Sequence, residues 1–117
     1  MTKPKKVTFD NGSTMALPED WQIPSSFQLA GIKFKVEKVD GEIDNGCAGK
    51  CWYDRALVKV STYDRNGNIP WDTQGRVFCH ELVHLILDAL GENELSENEK
   101  LVSGIGMLFH QFLQTQK

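Results

Sequence analysis

The chain has 117 residues, 40% of them hydrophobic and 25% charged, with a formal net charge of −3 and a pI near 5.5. That is the balance and size of one globular domain, 1–117, without the basic excess that marks a nucleic-acid binder. No run of eighteen apolar residues occurs, so no membrane-spanning helix is expected.

Residues 1–24 are weakly patterned and read as an irregular N-terminal segment. Val7-Thr8-Phe9 predicts a short strand before the Asp10-Asn11-Gly12-Ser13 turn, and Trp21 predicts an anchor between Pro18 and Pro24. Lys3, Lys5 and Lys6 make a short basic cluster, and no apolar leader follows it. Cys47, Cys51 and Cys79 are an odd number of thiols, which fits a reducing, cytoplasmic setting better than a disulfide framework.

From Ile32 to Val39 the chain alternates, Ile32, Phe34 and Val36 facing one way and Lys33, Lys35 and Glu37 the other, which predicts a strand with one wet face. Asp40, Glu42 and Asp44 then have the spacing that opens a calcium loop. Asn45 stands where the glycine belongs and Cys51 where the closing Glu belongs, so calcium is rejected. Cys47 and Cys51 are spaced C-x-x-x-C with no second pair, which predicts free thiols rather than a structural metal. Trp52–Thr62 predicts a second strand around Leu57, Val58 and Val60, with an edge that an extended peptide could join. Asn66-Gly67 predicts a turn, either a hairpin back through Ile69 or a loop to Pro70.

Val77, Phe78, Leu82, Val83, Leu85 and Ile86 recur at helical spacing, which predicts a helix from about Thr73 to Leu90. Asp72 or Thr73 would cap its start and Gly91 its end. Ser96-Glu97-Asn98-Glu99 is a capping-box pattern opening a second helix from about Glu97 to Leu113. Leu101, Ile105, Leu108 and Phe112 form the expected apolar stripe of that helix, with Val102 and Phe109 beside it, while Gly104 and Gly106 would admit a close neighbour. The fold class is therefore α+β: a small antiparallel sheet packed on two helices.

The chemistry concentrates in His80-Glu81-Leu82-Val83-His84. Histidines at i and i+4 share one helix face and can close on one ion; neutral imidazole suits Zn²⁺. Glu81 stands beside the expected metal-bound water as its base. Two imidazoles need a third protein ligand. Asp88 is one turn beyond His84 but two from His80, so it reads as an orienting partner or a solvated carboxylate. Glu92, Glu94, Glu97 and Glu99 remain, each with an ordinary explanation in a helix first turn, and a helical wheel puts Glu97 nearer the apolar stripe than Glu99.

His80-Glu81-Leu82-Val83-His84, followed by Asn98-Glu99-Lys100-Leu101-Val102, resembles the ImmA/IrrE family of small zinc metallo-endopeptidases, above all its compact phage and prophage members, and more widely the gluzincins. The resemblance spans about Arg76 to Gln111. It implies a minimal zincin-like fold, zinc held by His80, His84 and Glu99, and Glu81 as general base, with Glu97 the alternative ligand. It also implies a protein or peptide substrate, such as a repressor-like regulator of a mobile element. The chain departs from the family at Val102-Ser103, where many members have Ala-Asn, and at Ile105-Gly106, where they have Phe-Ala. Tyr53, Tyr63 and His110 are the candidate oxyanion donors, His110 being expected at the surface. The rival reading is a zinc-binding or metal-free regulatory module, because so short a chain leaves little room for a deep cleft.

Overall fold

A computed structural model describes residues 6–8, 14–16 and 21–116. The rest of the weakly patterned 1–24 segment, Phe9 of the first predicted strand and the turn after it lie outside the described residues. Two short strands, β1 (Lys6–Thr8) and β2 (Thr14–Ala16), pair antiparallel. A five-stranded sheet contains β3 (Ser26–Leu29), β4 (Ile32–Asp40), β5 (Gly49–Trp52), β6 (Leu57–Asp64) and β7 (Gly67–Asn68), in the order β3-β4-β6-β5 with β7 on β6. Helices α1 (Trp71–Ala89), α2 (Asn93–Ser96) and α3 (Glu99–Thr115) complete an α+β domain.

The sheet is mixed, which corrects the antiparallel expectation. β4 and β6 run parallel, Val36 opposite Val58 and Lys38 opposite Val60. Parallel neighbours need a crossover of about a dozen residues or more. Residues 41–56 supply it, through a 3-10 turn at Asp44–Gly46 and then β5, which pairs antiparallel with β6. Trp52, expected in the same strand as Leu57, belongs to β5. Leu57–Val60 is paired on both sides and offers no edge; the edge next to α1 is β5.

Local chemistry explains the turns. Ala30 and Gly31 both take positive φ, 51° and 77°, as a two-residue hairpin of matching twist demands. Between β6 and β7 the loop residues are Arg65 and Asn66, and the Asp64 carboxylate accepts from the Asn66 amide at 2.8 Å. α1 begins after Pro70, so Asp72 and Thr73 lie in its first turn rather than capping it. It ends at Gly91 (φ 76°), where Gly91 N–H reaches Asp88 O and Glu92 N–H reaches Leu87 O. These two bonds make a Schellman closure.

The sheet's inner face packs on α1: Phe34, Val58, Val60, Phe78, Cys79 and Leu85 are buried together, and Phe27 stacks on Phe34 with centroids 5.3 Å apart. α3 packs on α1 through an unexpected face. Val102, Gly106 and His110 are the buried residues, whereas Leu101, Ile105, Leu108 and Phe112 point outward. Two glycines select this rotation. A Cβ on Gly106 would lie 3.0 Å from His80 Cα, and the His110 ring occupies the space a side chain at Gly75 would take. Backbone contact that close needs a residue without Cβ. Gly104, by contrast, has open space around it.

Candidate metal centre

α1 presents His80 and His84 on the face that meets α3, and α3 brings Glu99 from its first turn across to both. Glu99 Oε2 lies 3.0 Å from His80 Nε2, Glu99 Oε1 lies 3.2 Å from His84 Nε2, and the two Nε2 atoms are 3.2 Å apart. Among the described residues, these three form a group whose donor atoms could hold one metal ion.

The other ring nitrogens are occupied. His84 Nδ1 is 3.0 Å from the hydroxyl of buried Ser96, which itself donates to the His84 carbonyl at 3.4 Å. With its proton committed there, the Ser96 oxygen accepts from Nδ1–H. His80 Nδ1 lies 3.2 Å from Ser103 Oγ. The His84 imidazole is thereby set in the tautomer that turns a bare Nε2 towards the shared space, and Ser103 holds the His80 ring from its Nδ1 side. Two imidazole nitrogens and two carboxylate oxygens converge there, and only protons or a cation can lie between them.

Ser96 was expected to be a helix cap. The N-cap of α3 is instead Asn98, whose side chain accepts from Leu101 N–H at 3.1 Å. This releases Ser96 for His84 and starts the helix at Glu99. Glu97 caps the C-terminus of α2 and lies outside the group, as do exposed Glu92 and Glu94. The serines fill the orienting role considered for Asp88. One of the family departures, Ser103, thus falls on the residue that holds His80.

Glu81 is buried at 9% exposure, facing β5. A Cβ on Gly49 would lie 3.3 Å from Glu81 Cγ and would collide with Val77, so strand and helix touch here because position 49 has no side chain. Burial raises the Glu81 pKa above the ordinary carboxylate value, opposed by a hydrogen bond from the Cys51 thiol and by the nearby histidines. Cys51, half-buried, is pushed up in turn by burial and by the Glu81 charge. Cys79 sits buried in the core, its thiol pushed up to about 12. Cys47 is exposed, and all three thiols are free.

A cleft of about 530 Å³ opens beside His80 and Glu81, walled by Ala48, Gly49, Val77, Ser103 and Met107, with Arg76 at its rim. None of the three expected oxyanion donors lines it. Tyr53 packs edge-on against Phe34, Tyr63 is exposed on β6, and His110 is buried against Trp21 and Gly75, contrary to the expected surface position. Arg76 brings a cation to the cleft from one helical turn before His80, a spacing already present in the sequence.

Comparison of the chain with protein-family models, with curated proteins and with solved structures returned no match.

Proposed function

We propose that the chain is a zinc-dependent metallo-endopeptidase of the ImmA/IrrE type, with a minimal zincin-like arrangement, acting on a protein or peptide substrate. One observation carries this reading: donor separations of 3.0–3.2 Å among His80, His84 and Glu99. Nitrogen and oxygen ligands at 2.0–2.1 Å around a tetrahedral zinc stand roughly 3.3 Å apart, a separation that the two imidazoles have and that each Glu99 oxygen has from one of them. Three protein ligands leave one position for water, as hydrolytic sites do and closed structural sites do not. Bound there, zinc would acidify that water and polarise the scissile carbonyl.

The remaining steps belong to the chain's own groups. Glu81 accepts the proton of the attacking water on its carboxylate and returns it to the leaving amine, so the base ends as it began. Its burial raises its proton affinity and so keeps it a strong acceptor. Cys51 holds the carboxylate from the β5 side, while Ser96 and Ser103 hold the imidazoles. The β5 edge seats an extended substrate by strand addition, and the cleft takes one of its side chains.

The test has two readouts. Protein purified without chelator contains about one zinc per chain and loses it as acid protonates the imidazoles. In cells, labelling of newly formed protein N-termini shows cleavages with the wild-type chain that Glu81→Gln lacks. Metal without any Glu81-dependent cleavage would leave a zinc-binding regulatory module; a chain that binds no zinc on titration would end the zinc reading.

A further inference from the structure

α3 carries no Asp, Glu, Lys or Arg from Leu101 to Gln116. Its buried face is satisfied by α1, yet on the opposite flank Leu101, Ile105, Leu108 and Phe112 keep 37%, 41%, 63% and 58% of their surface exposed. Beside them an apolar groove of about 500 Å³ runs between α3 and α1, floored by Val83, Ile86 and Leu87. Leu90, 70% exposed, continues that line one turn on. A solvated helix normally carries charges on its outer face, whereas interface centres are depleted of them.

We propose that this face is where two copies of the chain pair, α3 against α3 about a two-fold axis. The spacing supports self-recognition. Positions 101, 105, 108 and 112 are separated by 4, 3 and 4 residues and read the same in both directions about the point between Gly106 and Met107. An antiparallel pair therefore sets Ile105 against Leu108 of the partner subunit and Leu101 against Phe112 of the partner subunit. A two-fold interface requires that reciprocity. No side chain in the stripe carries a charge that would select a different, oppositely charged partner. Open space at Gly104, on the stripe's margin, lets the second backbone come near.

The area suffices. At roughly 150–250 Å² for a large apolar side chain, the exposed parts of these four residues and Leu90 amount to on the order of 500 Å² per copy. A pair would bury about 1,000 Å², the lower bound of specific interfaces, before the groove itself is counted. Ser103 and Met107, which wall the cleft, lie on another flank of α3, so pairing leaves the cleft open.

Sedimentation velocity on the full chain across a concentration series tests this. The expected wild-type species at micromolar concentration has twice the 13.2 kDa chain mass. Leu108→Glu should weaken association about 100-fold or more while circular dichroism and Tm stay near wild type. Ile105→Lys combined with Leu108→Glu should restore it, because an antiparallel pair sets each Lys opposite a Glu. A monomeric wild type at every concentration overturns the proposal and leaves the face to a different partner. A dimer indifferent to Leu108→Glu, or a double variant that stays monomeric, overturns it as well.

Discussion

The hydroxyl of Ser96 lies 3.0 Å from Nδ1 of His84 and donates to the carbonyl of the same residue, so one side chain fixes both the ring's rotation and its tautomer. Ser103 Oγ lies 3.2 Å from Nδ1 of His80. Partners of this kind decide which ring nitrogen is free to bind. Ser96→Ala and Ser103→Ala should each lower zinc affinity by about 10- to 100-fold with the fold intact. Competition with a chromophoric chelator measures it; unchanged affinity in both variants would strip the serines of this role.

In the proposed reaction Glu81 separates catalysis from binding. Glu81→Gln keeps the shape and removes the base, so zinc content should persist while hydrolysis falls by roughly 10²–10⁴. The same variant makes a stability prediction that needs no substrate. Burial raises the Glu81 pKa in the folded chain, so the stability attached to its proton is present below the ordinary value of 4.5 and lost as pH rises through the raised folded value. Metal-free Glu81→Gln should therefore melt above metal-free wild type at neutral pH. The gap should close below about pH 4.5. A gap that widens in acid would contradict the burial argument.

How much of this was legible beforehand depended on the range of the interaction involved. α1 was readable because its apolar recurrence, the two histidines and Gly91 all act within a few turns. β4 was readable because Phe34 and Val36 alternate with lysines. β5 was not: Gly49-Lys50-Cys51-Trp52 has no alternation of its own, and it becomes a strand by pairing with β6. The parallel placement of β4 beside β6 likewise arises from a crossover that no local pattern records.

The second helix shows a different limit. It is apolar on two flanks, so periodicity alone could not choose between them; close approach at Gly75 and Gly106 did. That choice buried His110 and turned the Leu108 flank outward. The capping signal was ambiguous in the same way. Ser96 and Asn98 are both good caps, and the intervening α2 turn gave the helix to Asn98.

Gly106 holds the helix spacing on which Glu99 depends. In Gly106→Ala the new Cβ would meet His80 backbone atoms at 3.0 and 3.1 Å, and backbone cannot swing aside as a side chain can. Overpacking costs about 1–3 kcal/mol. The gain in helix propensity returns up to about 1 kcal/mol. A net loss of about 1 kcal/mol should lower Tm by several degrees in calorimetry. Zinc affinity should fall with it, since α3 must move away from His80. A more stable Gly106→Ala would show that the helices are not in contact there.

The choice of Glu99 over Glu97 rests on where α3 begins. With Asn98 as N-cap, Glu99 occupies the first turn and its two oxygens stand 3.0 and 3.2 Å from His80 and His84. Glu97, two residues earlier, ends α2 and lies exposed outside the group. A ligand that binds only the folded state stabilises it by RT ln(1 + [L]/Kd), about 2.7 kcal/mol at a hundred times Kd. For a chain of this length that is a Tm rise on the order of 10 °C. Wild type and Glu97→Gln should both show the rise with added zinc. Glu99→Gln should show little of it at the same concentration, because an amide oxygen carries no charge for the metal. The metal-free Tm of Glu99→Gln should stay close to wild type, as the side chain of Glu99 is 66% exposed and bears little on packing. If Glu97→Gln abolished the zinc response and Glu99→Gln preserved it, the third ligand would have to be reassigned.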